Sequence, residues 1–455
     1  MIEINENTRR FVQEHRQDDV RKLALQTSKY PDIDMSFVLN QIAGWQTARK
    51  KLPSWAATDG IVYPPHLNME QCSSELTARY KAQIINSLPF KGEVGGSFHR
   101  FIDLTGGFGV DFYFMSQDFE ERVYVEQNPL LCTISSNNFK CLGLQATIVN
   151  NNAETYLKTM DSADIIFMDP ARRNEHGGRA YGIADCTPNV LELMPLLATK
   201  TQRLVLKLSP MLDWRKAVKD LNMLLPLQEG AGKVLSVSEI HIISVQNECK
   251  ELVIVMGQQT IASGVLENIQ IVCVNLLSNG NHEVFNVNHN ENLNENSNEK
   301  ESSEGLERLI VSPSRGEGYG GASPARDGLE EASYYLFEPN ASVMKAGCFT
   351  ELAQRFRLQS LATNSHLFLT SEVNTLLPGR LFRVNAVSSM NKKEVKKILK
   401  DIDRANITVR NFPLSTAELR KRLKLKDGGD CYLFATTLST GDHVLILTHK
   451  YTEQN

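Results

Sequence analysis

The central part of the chain, from about residue 100 to 256, alternates short aliphatic runs with segments long enough to form a helix. The five runs are residues 101–104, 123–125, 146–149, 164–168 and 204–208. Parallel strands need a crossover between them, so this alternation predicts an α/β domain with five parallel strands. Two further runs, 239–245 and 251–256, are separated only by a polar turn at 247–250 and therefore predict an antiparallel hairpin.

A glycine-rich turn directly follows the first predicted strand. Residues 103–109 read Asp-Leu-Thr-Gly-Gly-Phe-Gly, which gives the spacing D-x-x-x-G-x-G at a strand-to-helix junction. Glycines at such a junction allow a tight turn and let a cofactor approach the backbone closely. Dinucleotide-binding and methyltransferase folds both use this turn, and it can also be a turn without a ligand. The glycines alone leave these alternatives open.

Polar side chains follow the next two predicted strands. Glu126 lies 23 residues after Asp103, at the end of the second strand. A carboxylate there can accept hydrogen bonds from both hydroxyl groups of a cofactor ribose. Asn150–Asn152 follow the third strand, where their amides could bind an adenine edge. An asparagine-rich turn explains these residues equally well.

The fourth predicted strand ends in Asp-Pro-Ala-Arg-Arg at residues 169–173. This places an acid, a rigid proline turn and two guanidinium groups at the crevice beside the carboxyl ends of the strands. Guanidinium groups suit planar anions, so Arg172 and Arg173 are predicted to bind a phosphate or carboxylate of the substrate. A salt bridge that holds the loop is the alternative.

These motifs resemble those of class I S-adenosylmethionine-dependent methyltransferases. Residues 103–109 stand where the first motif of that family stands, Asp169-Pro170 stand where its fourth motif stands, and the terminal hairpin is also similar. With the basic run Arg-Lys-Arg-Leu-Lys-Leu-Lys at 420–426, the chain looks like bacterial methyltransferases that carry a THUMP-like carboxyl-terminal domain. The resemblance implies a Rossmann-like methyltransferase sheet with an antiparallel terminal hairpin and S-adenosyl-L-methionine as cofactor.

The resemblance also implies roles for individual residues. The expected cofactor-binding residues are Asp103, Thr105, Gly107, Gly109, Asp111, Glu126, Asn152 and Ala153. The expected catalytic residues are Asp169 and Pro170, with Arg172 and Arg173 on the substrate, and no metal is implied. Gln71 and Ser73 precede a helix that would cover the methionine end of the cofactor, although helix capping also explains the serine.

One departure from the family limits the inferred chemistry. Enzymes that methylate exocyclic amines often carry a second proline and an aromatic residue, where Ala171 and Arg172 stand in this chain. The fourth motif therefore does not imply amino methylation. The Asp169 carboxylate could still orient or deprotonate a nucleophile.

Four parts are predicted along the chain. A helical amino-terminal domain covers 1–90, a Rossmann-like methyltransferase domain covers 91–258, a ferredoxin-like or linking segment covers 259–380, and a THUMP-like basic α+β domain covers 381–455. Asparagine, glutamate and serine dominate from about residue 286, which predicts a disordered insertion as far as about 327. In the tail, the pattern predicts helices over 392–403 and 416–424, a strand over 405–411 and a hairpin turn at 440–442.

The tail carries the only strongly basic segment. Residues 391–426 hold 12 lysines and arginines against four acidic residues, a balance of +8. Such a segment can bind RNA phosphates, although two solvated amphipathic helices are the alternative. With the family resemblance, structured RNA, rRNA or tRNA, is the predicted substrate. A protein or small-molecule substrate, a noncatalytic RNA-binding protein on the same scaffold, and a nicotinamide-dependent oxidoreductase are the competing interpretations.

The whole-chain composition is that of an ordinary globular protein. Hydrophobic residues make up 42%, charged residues 22%, and the net charge is -4. No stretch approaches the roughly 20 apolar residues that a membrane helix needs. The eight cysteines show no metal-binding or disulfide spacing. We therefore expect a cytoplasmic protein with no membrane or metal partner.

Overall fold

The computed structural model describes residues 5–88, 99–172, 182–223, 233–260, 268–289 and 334–452. The chain divides into two compact units. The first comprises Met1–Val245 and Lys250–Ile271, and the second comprises Gln246–Cys249 and Val272–Asn455. Arg173 and most of the predicted insertion lie outside the described residues.

The first unit begins with helices. Those described are α1 Glu6–His15, α2 Val20–Ala24, α3 Met35–Lys51, α4 Pro53–Ala56, α5 His66–Gln71 and α6 Glu75–Ser87, with a 3₁₀ turn at Thr27–Lys29. Polar side chains cap their starts: Asp34 accepts from the Phe37 amide of α3, and Ser74 accepts from the Thr77 amide of α6. A small apolar core holds α1 to α3 together and includes Phe11, Leu23 and Val38. The predicted helical amino-terminal region is confirmed.

A mixed sheet follows the helices. Its strands are β1 Arg100–Asp103, β2 Glu121–Glu126, β3 Thr147–Asn150, β4 Ala163–Met168, β7 Thr201–Leu208, β8 Lys233–Val245 and β9 Glu248–Thr260. The helices between them are α7 Val110–Met115, α8 Pro129–Cys141, α9 Ala153–Thr159, α10 Val190–Lys200 and α11 Trp214–Asn222. A short ribbon, β5 Ala171–Arg172 and β6 Cys186–Thr187, and a 3₁₀ turn at Ile183–Asp185 follow β4.

Strands β1 to β4 and β7 to β9 lie side by side in the order β8-β9-β7-β4-β1-β2-β3. Strands β1 to β4 and β7 are parallel, and β9 runs antiparallel to β7. The predicted parallel strands and terminal hairpin are therefore confirmed. The direction of strand addition reverses between β1 and β4, which opens a crevice at the carboxyl ends of these two strands.

The hairpin turn is tighter than predicted. Residues 248–250 belong to β9, so the loop consists of Gln246 and Asn247 rather than four residues. Their φ angles are 51° and 64°, as in the two-residue turn whose twist matches that of antiparallel strands. The polar composition of residues 248–250 concealed their pairing.

The second unit contains a separate sheet. Strands β10 Ile269–Leu276, which begins in the first unit, and β11 His282–His289 precede it. The sheet strands are β12 Tyr335–Pro339, β13 Gln359–Ser360, β14 Phe368–Thr370, β15 Gly379–Ser389, β16 Asn406–Arg410, β17 Cys431–Thr437 and β18 His443–Lys450, in the order β13-β14-β12-β15-β18-β17-β16. The helices are α12 Ala341–Ala346, α13 Phe349–Phe356, α14 Lys392–Ile398 and α15 Thr416–Leu423.

Helices α14 and α15 pack on the same face of this second sheet. Val395 and Ile398 of α14 and Leu419 of α15 join one apolar cluster with Leu445 and Leu447 of β18. Helix α14 ends at Ile398, five residues before the predicted end, and the other predicted tail elements are present. No helix in the described part of the chain is long and apolar enough to cross a membrane.

The start of the predicted insertion is wrong. Strand β11 continues to His289, because Phe285 and Val287 alternate with polar residues and are buried. Residues 290–333 lie outside the described residues.

Candidate active site at the carboxyl edge of the parallel sheet

The glycine turn after β1 opens to solvent at one position. Gly107 has a φ of +56°, and a Cβ added there would meet no atom closer than the Thr105 carbonyl oxygen at 3.8 Å. Gly106 and Gly109 serve internal packing. A Cβ at Gly106 would lie 2.2 Å from the Tyr124 ring, and one at Gly109 would lie 2.7 Å from the Phe139 ring. Gly107 is therefore the glycine of this turn that a cofactor can approach most closely.

The buried side chain of Tyr124 supports the glycine turn. Its buried hydroxyl donates to the carbonyl oxygen of Gly107, and Ser135 donates to the same hydroxyl at 3.1 Å. Burial raises the pKa of Tyr124 well above its usual value, so the hydroxyl keeps its proton and remains a donor. The sequence analysis missed this support, because a tyrosine in an aliphatic strand reads as core.

Glu126 lies beside the open glycine. Its Oε2 atom accepts a hydrogen bond from the Gly107 amide at 2.8 Å, and Oε1 accepts from the Asn128 amide at 2.7 Å. The register of β2 and β3 places it next to Asn150. A partly exposed carboxylate thus lies at the glycine turn, where the sequence predicted a ribose-binding acid.

The asparagines after β3 have structural partners. Asn152 caps α9 by accepting from the Thr155 amide at 2.8 Å, and Ala153 is the buried first residue of that helix. The Asn150 amide donates to the carbonyl oxygens of Glu126 and Gln127. The asparagines therefore stabilise the turn after β3, as the alternative interpretation expected. A contact of Asn152 and Ala153 with a cofactor stays a prediction.

Thr105 joins the ends of β1 and β4. The carboxylate of Asp103, 1% exposed, accepts from the Thr105 amide at 2.8 Å and from its hydroxyl at 3.2 Å. The same hydroxyl accepts from the Asp169 amide at 2.6 Å. Burial raises the pKa of Asp103 well above its usual value. Asp103 is therefore a buried residue that holds Thr105 in place at the crevice. Asp169, whose side chain is 37% exposed, faces the crevice.

Lys207 pairs with Asp169 and was not singled out by sequence. Its Nζ lies 2.5 Å from Oδ2 of Asp169 and 3.3 Å from Oδ2 of Asp111. Burial alone would lower the pKa of Lys207, but Asp169, Asp111 and Glu251 raise it well above its usual value. Lys207 is therefore an ammonium ion. A lysine inside the apolar run 204–208 was the available signal.

A second lysine lies deeper in the same cluster. Lys81 of α6 is fully buried, and its Nζ lies 3.1 Å from Oδ1 of Asp111 and in contact with Glu251 of β9. Ser73 lies within hydrogen-bond distance of all three side chains. Burial by itself would raise the pKa of Asp111, but Lys81 and Lys207 lower it to about 2. Asp111 thus binds lysines in this structure.

The loop after Asp169 is only partly described. Pro170 is buried, and Ala171–Arg172 pair antiparallel with Cys186–Thr187. The side chain of Arg172 is outside the described residues, as is Arg173. The proposed substrate contacts of both arginines therefore stay predictions.

The described residues fit a nucleoside-bearing cofactor. Gly107 offers open space at the turn, Glu126 offers an acceptor for hydroxyl groups, and Asp169 lies across the crevice on the neighbouring strand. Among the described residues, no group of three or more histidine, cysteine or carboxylate side chains is placed to hold a metal ion.

We expect Gly107→Ala to weaken cofactor binding by at least about tenfold, because a methyl group would occupy the open space at the turn. The positive φ also makes an L residue there cost about 1 to 2 kcal/mol. Isothermal titration calorimetry with S-adenosylmethionine measures the affinity. Gly143→Ala is the matched control, since Gly143 has a φ of +73° and open surroundings away from the turn. Equal affinity of the two variants would contradict a role for Gly107.

Comparison with solved structures shows a match over the whole chain. A protein from Porphyromonas gingivalis W83, provisionally assigned as a methyltransferase, is 27% identical and aligns over 99% of this chain and 100% of its own length, with a TM-score of 0.73. A provisionally assigned methyltransferase from Streptococcus mutans, solved in complex with SAH, is 11% identical and covers 41% of this chain and 97% of its own, with a TM-score of 0.27.

Two families match the second unit. Residues 379–450 match the family described as THUMP domain-like, and residues 335–378 match a family described as a ferredoxin-like domain. No curated protein matches the chain. The strand order, the antiparallel β9 and the full-length match together give the first unit the fold of class I methyltransferases.

Proposed function

We propose that this chain, a class I S-adenosylmethionine-dependent methyltransferase with a THUMP domain-like carboxyl-terminal part, methylates structured RNA. The observation that carries the choice of RNA is the exposed basic surface of α14 and α15, within the residues that match the THUMP-like family.

The basic surface consists of side chains that the fold leaves available. Its exposed members are Lys392, Lys393, Lys396, Lys397 and Lys400 on and after α14, and Lys421, Arg422, Lys424 and Lys426 on and after α15. Both helices bury their apolar residues on the same sheet face, so their lysines point away from that face. Within the described residues no ion pair neutralises these nine side chains. Unpaired cations on adjacent helices suit a phosphate backbone.

Two of the three other basic residues of this segment are committed to the fold, and the third, the exposed Arg404, lies 3.9 Å from Asp403. Arg410 binds the buried Glu338 at 3.1 Å, and Arg420 binds Asp427 at 2.6 Å and two carbonyl oxygens. The available charge is therefore concentrated on lysines and one arginine. This arrangement favours contacts to phosphates over recognition of base edges.

The crevice of the first unit would hold the cofactor. When bound, S-adenosylmethionine supplies an electrophilic methyl group. Glu126 would accept hydrogen bonds from its ribose, and the backbone at Gly107 would lie against it. Asp169 would orient the acceptor group of the substrate, because its carboxylate is partly exposed and held by Lys207. Methyl transfer depends mainly on such placement of the reacting groups.

Strand direction argues against the nicotinamide-dependent alternative. The sheet of dinucleotide-binding domains follows the parallel order 3-2-1-4-5-6. In this chain the antiparallel β9 lies between β7 and β8. The described Glu126 and Asp169 also favour an enzyme over a noncatalytic RNA-binding protein, because both carboxylates remain partly exposed at the crevice.

Charge reversal on the two helices tests the choice of RNA. We expect the quadruple variant Lys396→Glu, Lys397→Glu, Lys421→Glu and Arg422→Glu to bind structured RNA at least about tenfold more weakly. The slope of log affinity against log salt should fall by about 1 for each lost phosphate contact. Filter binding of labelled rRNA and tRNA at several salt concentrations measures both quantities.

The control introduces two glutamates on another exposed helix. Arg9→Glu with Arg10→Glu changes charge on α1, where both arginines are exposed. A modest, uniform loss through net charge is expected there. If the quadruple variant bound RNA with wild-type affinity, this basic surface would not be the RNA contact, and the choice of RNA would lose the observation that carries it.

A further inference from the structure

We infer that Asp169 and Lys207 together select a hydroxyl oxygen, the ribose 2′-hydroxyl of the RNA, as the methyl acceptor. This inference rests on the proposed function and narrows its substrate to one chemical group. It depends on the contact between the Lys207 ammonium and the Asp169 carboxylate, which lies at the open side of the crevice.

The charge that develops on the acceptor decides between nitrogen and oxygen. A neutral amine that attacks a methyl sulfonium becomes positively charged, and an ammonium ion beside it opposes that change. A hydroxyl group gains negative charge as its proton leaves, and the same ammonium stabilises it. Because Nζ of Lys207 lies 2.5 Å from Oδ2 of Asp169, any group bound to this carboxylate lies close to the cation.

The charge balance of the cluster allows it to accept the hydroxyl proton. Lys81 and Lys207 are two cations, and Asp111, Asp169 and Glu251 are three carboxylates in contact with them. Two positive charges against three negative charges leave one net negative charge. Asp169 is the most exposed of the three carboxylates, with 37% of its side chain accessible against 10% for Asp111 and 7% for Glu251. One proton on Asp169 therefore neutralises the cluster.

The transfer step needs no reactant other than the RNA hydroxyl group and the sulfonium methyl donor. The oxygen–carbon bond forms as the carbon–sulfur bond breaks, and the electron pair of the broken bond remains on sulfur. The hydroxyl proton passes to the Asp169 carboxylate and then to water. Lys207 keeps its proton throughout, held by Asp111 on its buried side.

Lys81 and Glu251 keep Lys207 in place. Lys81 neutralises Glu251 and shares Asp111 with Lys207, so Asp111 contacts one cation with each oxygen. Lys207 is thereby fixed between a buried carboxylate and an exposed one. We assign it as a catalytic residue that would touch the acceptor, and Lys81 as a positioning residue that acts through Asp111.

The position of the transferred label tests the inference without any variant. RNA is labelled with the methyl-labelled cofactor and hydrolysed in alkali. A 2′-O-methyl group blocks cleavage at its own phosphate, so the label is expected in alkali-resistant dinucleotides. Label in mononucleotides would place the methyl group on a base and overturn the inference while preserving RNA methylation. No label in RNA at all would overturn the proposed function instead.

Variants of Lys207 test its role in methyl transfer. We expect Lys207→Met to lower kcat about 10²- to 10³-fold while binding the cofactor with wild-type affinity in calorimetry. Lys207→Arg keeps the charge and should restore part of the rate. Lys219→Met, an exposed lysine of α11, is the control. Wild-type turnover in Lys207→Met, or an Lys207→Arg rate no higher than that of Lys207→Met, would contradict the role of the cation.

Discussion

Asp169→Ala should lower the methyl-transfer rate by at least about 10²- to 10⁴-fold, the range that a positioned acid or base contributes, while cofactor affinity stays near that of the wild type. The physical reason is that the Asp169 carboxylate faces the crevice and is the proton acceptor nearest to Lys207. Lys207 retains Asp111 as a partner in the variant, so the cluster keeps a balanced cation and the fold should persist. Labelled cofactor and fractionated RNA measure the rate, and calorimetry measures the affinity.

The control for Asp169 is another aspartate of the same segment. Asp161 precedes β4, and its side chain is 97% exposed. Asp161→Ala should therefore turn over like the wild type. Retained turnover in Asp169→Ala would refute the assigned role, whereas loss of cofactor affinity in that variant would move Asp169 from the acceptor to the cofactor.

Lys81→Met should produce the largest loss of stability, about 3 to 5 kcal/mol in the free energy of unfolding of the first unit. Removal of one partner from a buried ion pair leaves an uncompensated charge in a medium that solvates it poorly. Here Glu251 would lose its only cation among the described contacts, and Asp111 would keep Lys207 alone. Urea unfolding followed by circular dichroism, together with the thermal midpoint, measures the loss.

Two further variants separate charge from packing. In Lys81→Met with Glu251→Leu, both charges of the buried pair are absent, so most of the loss should be recovered. Arg9→Met removes an exposed partner of Glu6 and should change the stability by no more than about 1 kcal/mol. If the double variant were no more stable than Lys81→Met, the cost would come from lost packing around α6 and not from the unpaired carboxylate.

Local patterns predicted the first unit well because the relevant information is local. A parallel strand is buried on both faces and is followed by a crossover helix. Aliphatic runs therefore alternate with helix-length segments along the chain. The turn after β1 needs glycine for its backbone angles, and Asp169 follows β4 in the chain. The predicted hairpin turn and the predicted start of the insertion were wrong. At 248–250 strand pairing overruled a polar composition. At the start of the insertion, burial of Phe285 and Val287 did so as well.

By itself, the sequence determined the sheet, its glycine turn and the acids at its edge, because spacing along the chain fixes which residues end neighbouring strands. It could not reveal the cluster of Lys81, Asp111, Lys207, Asp169 and Glu251, whose members lie up to 170 residues apart, as Lys81 and Glu251 do. Each of those charged residues reads as solvated when taken alone. Only the tertiary structure decided their state, since burial makes a charge costly unless folding brings an opposite charge to within a few ångströms.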